Sequence, residues 1–229
     1  MSADEPLVRA IRSGLAELAD PAKAPAMQAY MKSAMAFRGV AKPQRSALLE
    51  RVLADHKLPD RVTFSATVLT LWRTAEFREE RYAAIDLSGY RAYRRWQDAE
   101  LVPMYEEMIV SGAWWDHVDE LAIRRIGPIL RADRAGVTPT MLAWANDGDL
   151  WRRRTAIICQ VGAKEDTDTD LLTRAIEPAI AEAEFFLCKG IGWALRDYAK
   201  TAPEWVRSFV DDHPGLSGLS RREALKHIG

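Results

Sequence analysis

The chain has 229 residues, of which 48% are hydrophobic and 28% are charged, so it is long and apolar enough to build a substantial core. Its formal net charge is only −1, from 32 basic and 33 acidic residues, which excludes a uniformly basic protein that binds polyanions with its whole surface. Any nucleic-acid surface must therefore be local and offset by acidic residues elsewhere.

The N-terminal sequence and the cysteines favour a cytoplasmic protein. The opening "MSADEPLVRAIRSGLAELAD" lacks the cationic start and apolar run of a signal peptide. No stretch approaches the roughly 18 uninterrupted apolar residues of a membrane span. Cys159 and Cys188 both lie in apolar helical contexts, which predicts reduced, packed thiols. We expect a cytoplasmic protein, associated with the nucleoid if its partner is DNA.

Helical periodicity in almost every segment predicts an all-α chain of about a dozen helices, and strand-like alternation is essentially absent. Short polar breaks place Pro or Gly next to Asp, Asn or Ser. They read "DHKLPDR", "DRAGVTP", "ANDGD" and "DDHPGLSGLS". The polar segment "KEDTDTD" at 164–170 is short enough to be a loop, so we expect one continuous domain over residues 1–229.

An aromatic residue opens each of four similar segments, at Trp72, Trp115, Trp151 and Phe186. A spacing of about 35–45 residues with paired helices predicts an α-solenoid of the HEAT or armadillo type, whose helix pairs line a concave groove. A helical bundle remains the alternative.

The segment "WWDHVDE" combines indoles with a carboxylate. Neighbouring residues on a helix point about 100° apart, so Trp114 and Trp115 cannot line the same groove. Asp119 shares a face with Trp115 on an otherwise apolar stripe, where an unpaired charge is costly to bury. One interpretation is therefore a structural ion pair with an arginine such as Arg154, and the other is a functional carboxylate.

Two further segments supply cations. In "LWRRRTAIICQ", Arg154 lies three residues after Trp151, and either a solvated helix start or phosphate binding explains it. On a helix over 185–200, "FFLCKGIGWALRDYAK", an apolar stripe faces the core. A second stripe holds one indole and three cations, whose directions around the helix axis fall within roughly 60° of one another. Its members are Lys189, Trp193, Arg196 and Lys200.

The C-terminal "LSRREALKHI" predicts a helix capped by Ser220 with Glu223 at the third position, and its basic residues favour either a solvated helix or DNA-backbone contact. The four histidines show no metal-ligand spacing, and phosphate-binding glycine loops and serine nucleophile elbows are absent. We therefore expect no metal and no cofactor, and any chemistry must use a carboxylate, aromatic rings and cations.

Five blocks follow one another along the chain: "YMKSAMAFRGVAKPQR" (30–45), "WWDHVDELA" (114–122), "LWRRRTAIICQ" (150–160), "FFLCKGIGWALRDYAK" (185–200) and "LSRREALKHI" (219–228). In this order they resemble the AlkD-type family of bacterial DNA alkylation-repair glycosylases. The resemblance implies a HEAT-like solenoid with a basic concave groove for duplex DNA, acting without a partner subunit. It also implies excision of cationic N-alkylated purines, such as 3-methyladenine and 7-methylguanine.

The resemblance implies a role for each matched residue. Asp119 matches the catalytic aspartate, Trp115 and Trp193 match the aromatic residues at the lesion, and Arg154 matches the arginine that holds the DNA backbone. Tyr30 matches a tyrosine near the DNA. Lys189, Arg196 and Lys200 are further candidates for phosphate contact. The family is understood to engage the sugar–phosphate backbone without a base-flipping pocket.

Two other functions remain open. A non-catalytic HEAT-like protein that binds damaged or structured DNA would keep the basic groove without hydrolysis. A protein scaffold that binds peptides in its groove would have no affinity for DNA.

Overall fold

The computed structural model describes residues 2–228. Within them the chain forms fourteen α-helices joined by turns and short 3₁₀ and π segments. No β-strand occurs there, and one isolated bridge pairs Ala36 with Phe77. The predicted all-α class is therefore confirmed. The chain forms two compact units, residues 1–96 and 97–229, which are described separately. A single domain over residues 1–229 stays a prediction.

The first unit contains five α-helices. They are α1 (Glu5–Glu17), α2 (Ala24–Met31), α3 (Lys42–Asp55), α4 (Arg61–Arg73) and α5 (Arg78–Ser88). The second unit contains nine. They are α6 (Val102–Gly112), α7 (Trp115–Leu121), α8 (Gly127–Ala132), α9 (Arg134–Ala145), α10 (Leu150–Ile158), α11 (Thr169–Ile176), α12 (Phe185–Tyr198), α13 (Pro203–Asp212) and α14 (Gly218–Leu225).

The core of the first unit is built from the apolar faces of α1, α3, α4 and α5. Leu7, Ile11, Phe64 and Trp72 are at most 1% exposed. Side-chain caps fix where two of these helices begin, since the carboxylates of Asp4 and Asp60 accept backbone N–H bonds in the first turns of α1 and α4.

A buried carboxylate organises the loop before α3. Glu79, on α5, is fully buried, and its two oxygens accept the backbone N–H groups of Arg38, Gly39 and Val40 at 2.9, 2.8 and 3.1 Å. These donors have no helical partner, so the carboxylate satisfies backbone groups that folding would otherwise leave unpaired.

The core of the second unit joins α10 to α14. Leu187, Ile191 and Leu195 of α12 are at most 1% exposed and pack in one cluster with Ile157 of α10 and Val206 of α13. The apolar stripe that the periodicity predicts for residues 185–200 is thus the face that α12 buries.

Some predicted boundaries are wrong. Trp72 lies one residue before the end of α4 and does not open a repeat unit. The segment "DRAGVTP" is the beginning of α9 rather than a break, because the Asp133 side chain accepts the Gly136 N–H at 2.9 Å and starts the helix ahead of the glycine and proline.

Cys159 and Cys188 are both buried free thiols, as the sequence predicts, and burial raises the pKa of Cys159 to about 12. Among the described residues, no helix has both the length and the apolar character that crossing a bilayer requires.

We predict that Glu79→Ala lowers the free energy of unfolding by roughly 3 kcal/mol, because it leaves buried N–H donors without an acceptor and opens a cavity. Urea unfolding followed by circular dichroism measures the loss. The exposed Glu76 is the control, and Glu76→Ala is expected to change stability by less than about 0.5 kcal/mol. Equal effects for the two variants would contradict the structural role of the Glu79 carboxylate.

Candidate functional site: a carboxylate between two indoles

The site begins on α7, whose first residue is Trp115 and whose second turn carries Asp119. Trp114, just outside the helix, has extended backbone angles and points elsewhere. Its ring packs against Trp151 and Phe186, with centroids 6.4 and 5.5 Å away. The predicted divergence of the two neighbouring indoles is therefore confirmed: one joins an aromatic cluster, and the other lines the site.

The helix does not stop after Leu121 but widens into a π segment, Ala122–Ile126, before α8. Pro128 has no N–H, so it cannot donate to the carbonyl of Arg124 four residues earlier. The Arg125 guanidinium donates to that carbonyl instead, at 3.0 Å. Missing helical bonds of this kind accompany π-bulges, which occur frequently at functional sites.

Asp119 forms a two-pronged ion pair with Arg154 of α10. Nε and Nη2 of the arginine donate to Oδ1 and Oδ2 of the carboxylate at 2.8 and 2.9 Å. The third nitrogen, Nη1, donates to the carbonyl of Phe186 on α12. The arginine side chain is 5% exposed and the aspartate side chain 16%. The ion pair that the sequence left as one interpretation is present, and it links α7, α10 and α12.

Burial raises the pKa of Asp119 above its ordinary value. The hydrogen bonds and charge of Arg154 oppose this shift, while the negative charge of Asp116 adds to it. The carboxylate therefore sits where desolvation outweighs its cationic partner, and it is an acid that titrates nearer to neutral pH than an exposed aspartate.

Two cavities meet at the indoles of Trp115 and Trp193, which line both. The larger, about 510 Å³, exposes Asp119, and carboxylates predominate among its charged groups. Its other lining residues are Asp116, Glu120, Ile123, Arg124, Val161, Gly162 and Asp197. The smaller, about 260 Å³, exposes Arg154 and is rich in cations and rings. Its other lining residues are Phe185, Phe186, Lys189, Arg196 and Glu223.

The cations predicted along residues 185–200 carry acidic partners. Lys189 Nζ lies 2.8 Å from Glu223 Oε1, and Arg196 contacts the other oxygen of the same carboxylate. Lys200 pairs with Asp197 at 2.9 Å. The predicted extension of the helix to Lys200 is wrong, because α12 ends at Tyr198 and Lys200 lies in the turn that follows.

Tyr30 lies in the first unit, near the end of α2, with 76% of its surface exposed. Its exposure leaves the ring available to a ligand. Its role near DNA stays a prediction.

Sequence reasoning missed two residues of the site. Arg124 is an exposed cation at the larger cavity, and its side chain has no hydrogen-bond or ion-pair partner among the described residues. On a regular helix it would lie about 140° from Asp119, so helical spacing hid it. Pro128 was the available signal, because it disturbs the helix register. The sequence predicts Glu223 in a capping box with Ser220, but the cap of α14 is Ser217, which accepts the Ser220 N–H at 3.0 Å.

The described part of the chain contains no group of three or more His, Cys, Asp or Glu side chains that could hold a metal ion. Its helices instead hold one semi-buried carboxylate, which pairs with a guanidinium and is flanked by two indoles. Together these features define an all-α protein with a semi-buried, charge-paired site.

Residues 11–228 match the family described as DNA alkylation repair enzyme. The chain therefore belongs to this family. A search of curated proteins found no match.

Three solved structures share the fold. A predicted DNA alkylation repair enzyme from Enterococcus faecalis is 33% identical, with a TM-score of 0.82 over 92% of this chain and 97% of that chain. AlkD2 from Streptococcus mutans is 19% identical, with a TM-score of 0.60 over 78% and 87%. The protein smu.31 from Streptococcus mutans UA159 is also 19% identical, with a TM-score of 0.60 over 79% and 90%. The likeness confirms the predicted class, a HEAT-like helical repeat fold.

We predict that Arg154→Ala lowers the free energy of unfolding by about 3 kcal/mol, because it leaves the Asp119 carboxylate semi-buried without its cation. Thermal and urea unfolding at neutral pH measure the effect. Arg174, in an exposed pair with Asp170 on α11, is the matched control, and Arg174→Ala is expected to cost less than about 0.5 kcal/mol. An Arg154 variant as stable as the control would show that the ion pair contributes little to the fold.

Proposed function

We propose that this protein is a monofunctional DNA glycosylase that excises cationic N-alkylated purines, such as 3-methyladenine and 7-methylguanine, from duplex DNA. It hydrolyses the N-glycosidic bond as a monomer. The observation that carries the proposal is Asp119, held by Arg154 at a cavity that Trp115 and Trp193 also line, in a chain of the DNA alkylation repair family.

The chemistry needs few groups because the leaving group is already activated. A purine alkylated at N3 or N7 is cationic, so it takes the electrons of the breaking bond and departs as a neutral base without a general acid. Positive charge then develops on the deoxyribose, and water adds to C1′ and loses a proton. The products are the free base and an abasic site. A neutral lesion, which is a poor leaving group, is expected to resist excision.

Asp119 supplies the main catalytic effect in this proposal. An ionised carboxylate aimed at a developing positive charge, in a site that excludes much of the water, stabilises the transition state more than the ground state. The same oxygens can orient the attacking water. Trp115 and Trp193 present π-faces to the cationic sugar, each contributing about 0.5–2 kcal/mol.

The DNA backbone would be held by cations around the two cavities. Arg154 uses three of its five N–H groups on Asp119 and Phe186, and we propose that the remaining two contact a phosphate where Arg154 lines the smaller cavity. Lys189, Arg196 and Lys200 are further contacts, together with Tyr30 of the first unit. We add Arg124 to them, because it is exposed at the larger cavity. Backbone contacts place the lesion, so no base-flipping pocket is required.

We predict that Asp119→Asn slows release of 7-methylguanine by about 100-fold or more without weakening DNA binding, because the amide keeps the shape but not the charge. Single-turnover incubation with duplex DNA containing N7-methylguanine measures free base and abasic sites. Fluorescence anisotropy with the same duplex measures binding. A wild-type chain that binds DNA but releases no base would favour the non-catalytic alternative, and unchanged release by the variant would remove Asp119 from the mechanism.

We also predict an acidic limb in the single-turnover rate. The proposed reaction needs the ionised carboxylate, so the rate falls as the pH drops through the raised pKa of Asp119, at a midpoint higher than for an exposed aspartate. Asp116→Asn removes a negative charge that raises this pKa, so its midpoint should move to lower pH. Release without enzyme is subtracted at each pH. If the Asp116 substitution leaves the pH midpoint unchanged, the acidic limb belongs to another group.

A further inference from the structure

Glu223 of α14 stands among the cations of the smaller cavity. Its carboxylate bridges Lys189 and Arg196 of α12, which lie one turn before and about one turn after Trp193. Among the described residues that line this cavity it is the only acidic side chain, beside three cations and four aromatic rings. A carboxylate in this position makes the contacts that a phosphate oxygen would make.

The fold itself holds Glu223 in place. A Cβ on Gly192 of α12 would lie 2.5 Å from the Cβ of Glu223, so the two helices meet at a distance that only glycine permits. The Ser220 hydroxyl, one turn earlier on α14, donates to the carbonyl of Cys188 at 3.0 Å. The Glu223 side chain is 20% exposed. The carboxylate is therefore a fixed part of the cavity wall.

Binding to DNA gains much of its free energy when cations neutralise phosphates and release condensed counterions. Lys189 and Arg196 are already partly neutralised by an anion that belongs to the chain, so a phosphate must compete for them. We propose that Glu223 is an internal competitor of the DNA backbone, which occupies a phosphate-binding site and sets the strength of DNA binding. This inference rests on the proposed function only in that the cavity faces DNA.

The sign of the effect separates this role from a structural one. If Glu223 merely oriented the two cations, removing its charge would weaken DNA binding. If it competes with phosphate, removing its charge strengthens binding and increases the dependence on salt.

The test compares Glu223→Gln with the wild-type chain on undamaged duplex DNA, by fluorescence anisotropy at several KCl concentrations. We expect binding at least threefold tighter near 0.1 M KCl. The slope of log K against log salt should become steeper by about one, as for one additional neutralised phosphate. Glu204→Gln is the control, because it removes an exposed carboxylate of α13 that pairs with Arg207 outside the cavity, and it should change the affinity less than twofold.

Melting temperatures show whether the variants are folded, and Glu223→Ser provides a second, smaller replacement. Unchanged or weaker binding in both Glu223 variants, or an equal gain in Glu204→Gln, would overturn the proposal. The result does not depend on excision, because the duplex carries no lesion. If the wild-type chain releases no base but the Glu223 variant binds DNA more tightly, the proposed function is contradicted and this inference is supported.

Discussion

The ion pair between Asp119 and Arg154 is the interaction on which the site depends. It satisfies both carboxylate oxygens with two guanidinium N–H groups, and a third N–H group of Arg154 donates to the carbonyl of Phe186. Burying either charge alone would cost several kcal/mol, so each group makes the other tolerable at the junction of α7, α10 and α12. The planar arginine fork also fixes the orientation of the carboxylate, as a lysine could not. The same ion pair therefore stabilises the fold and, in the proposed function, orients the catalytic carboxylate.

The two indoles separate opposite electrostatic environments. Trp115 and Trp193 line a cavity dominated by carboxylates and a smaller one dominated by cations. This arrangement explains how a chain with a net charge of −1 can present a cationic surface, since the acidic residues are not distributed evenly. In the proposed function the cationic side holds the phosphate backbone and the acidic side faces the sugar that becomes positive.

Local sequence patterns predicted much of the fold and of the site. They missed features that depend on contacts between residues far apart in the chain. The period of residues 185–200 gave the buried face of α12, and "WWDHVDE" gave the divergent indoles, because both follow from helix geometry. The Asp119–Arg154 pair could be proposed but not decided, since it joins residues 35 apart in the chain. Arg124 was missed because the π segment Ala122–Ile126 changes the helix register, and Glu223 because its partners lie on another helix.

A buried ion pair limits its own usefulness in catalysis. Arg154 keeps the carboxylate oriented but offsets the negative charge that a cationic sugar would need. Desolvation acts the other way, and the raised pKa of Asp119 shows that it outweighs the arginine. A carboxylate that is poorly solvated and incompletely neutralised gains more from a nearby cation than one that water or a cation already satisfies. In the proposed function, the partial burial of Asp119 is thus the feature that would let a structural pair also stabilise a transient positive charge.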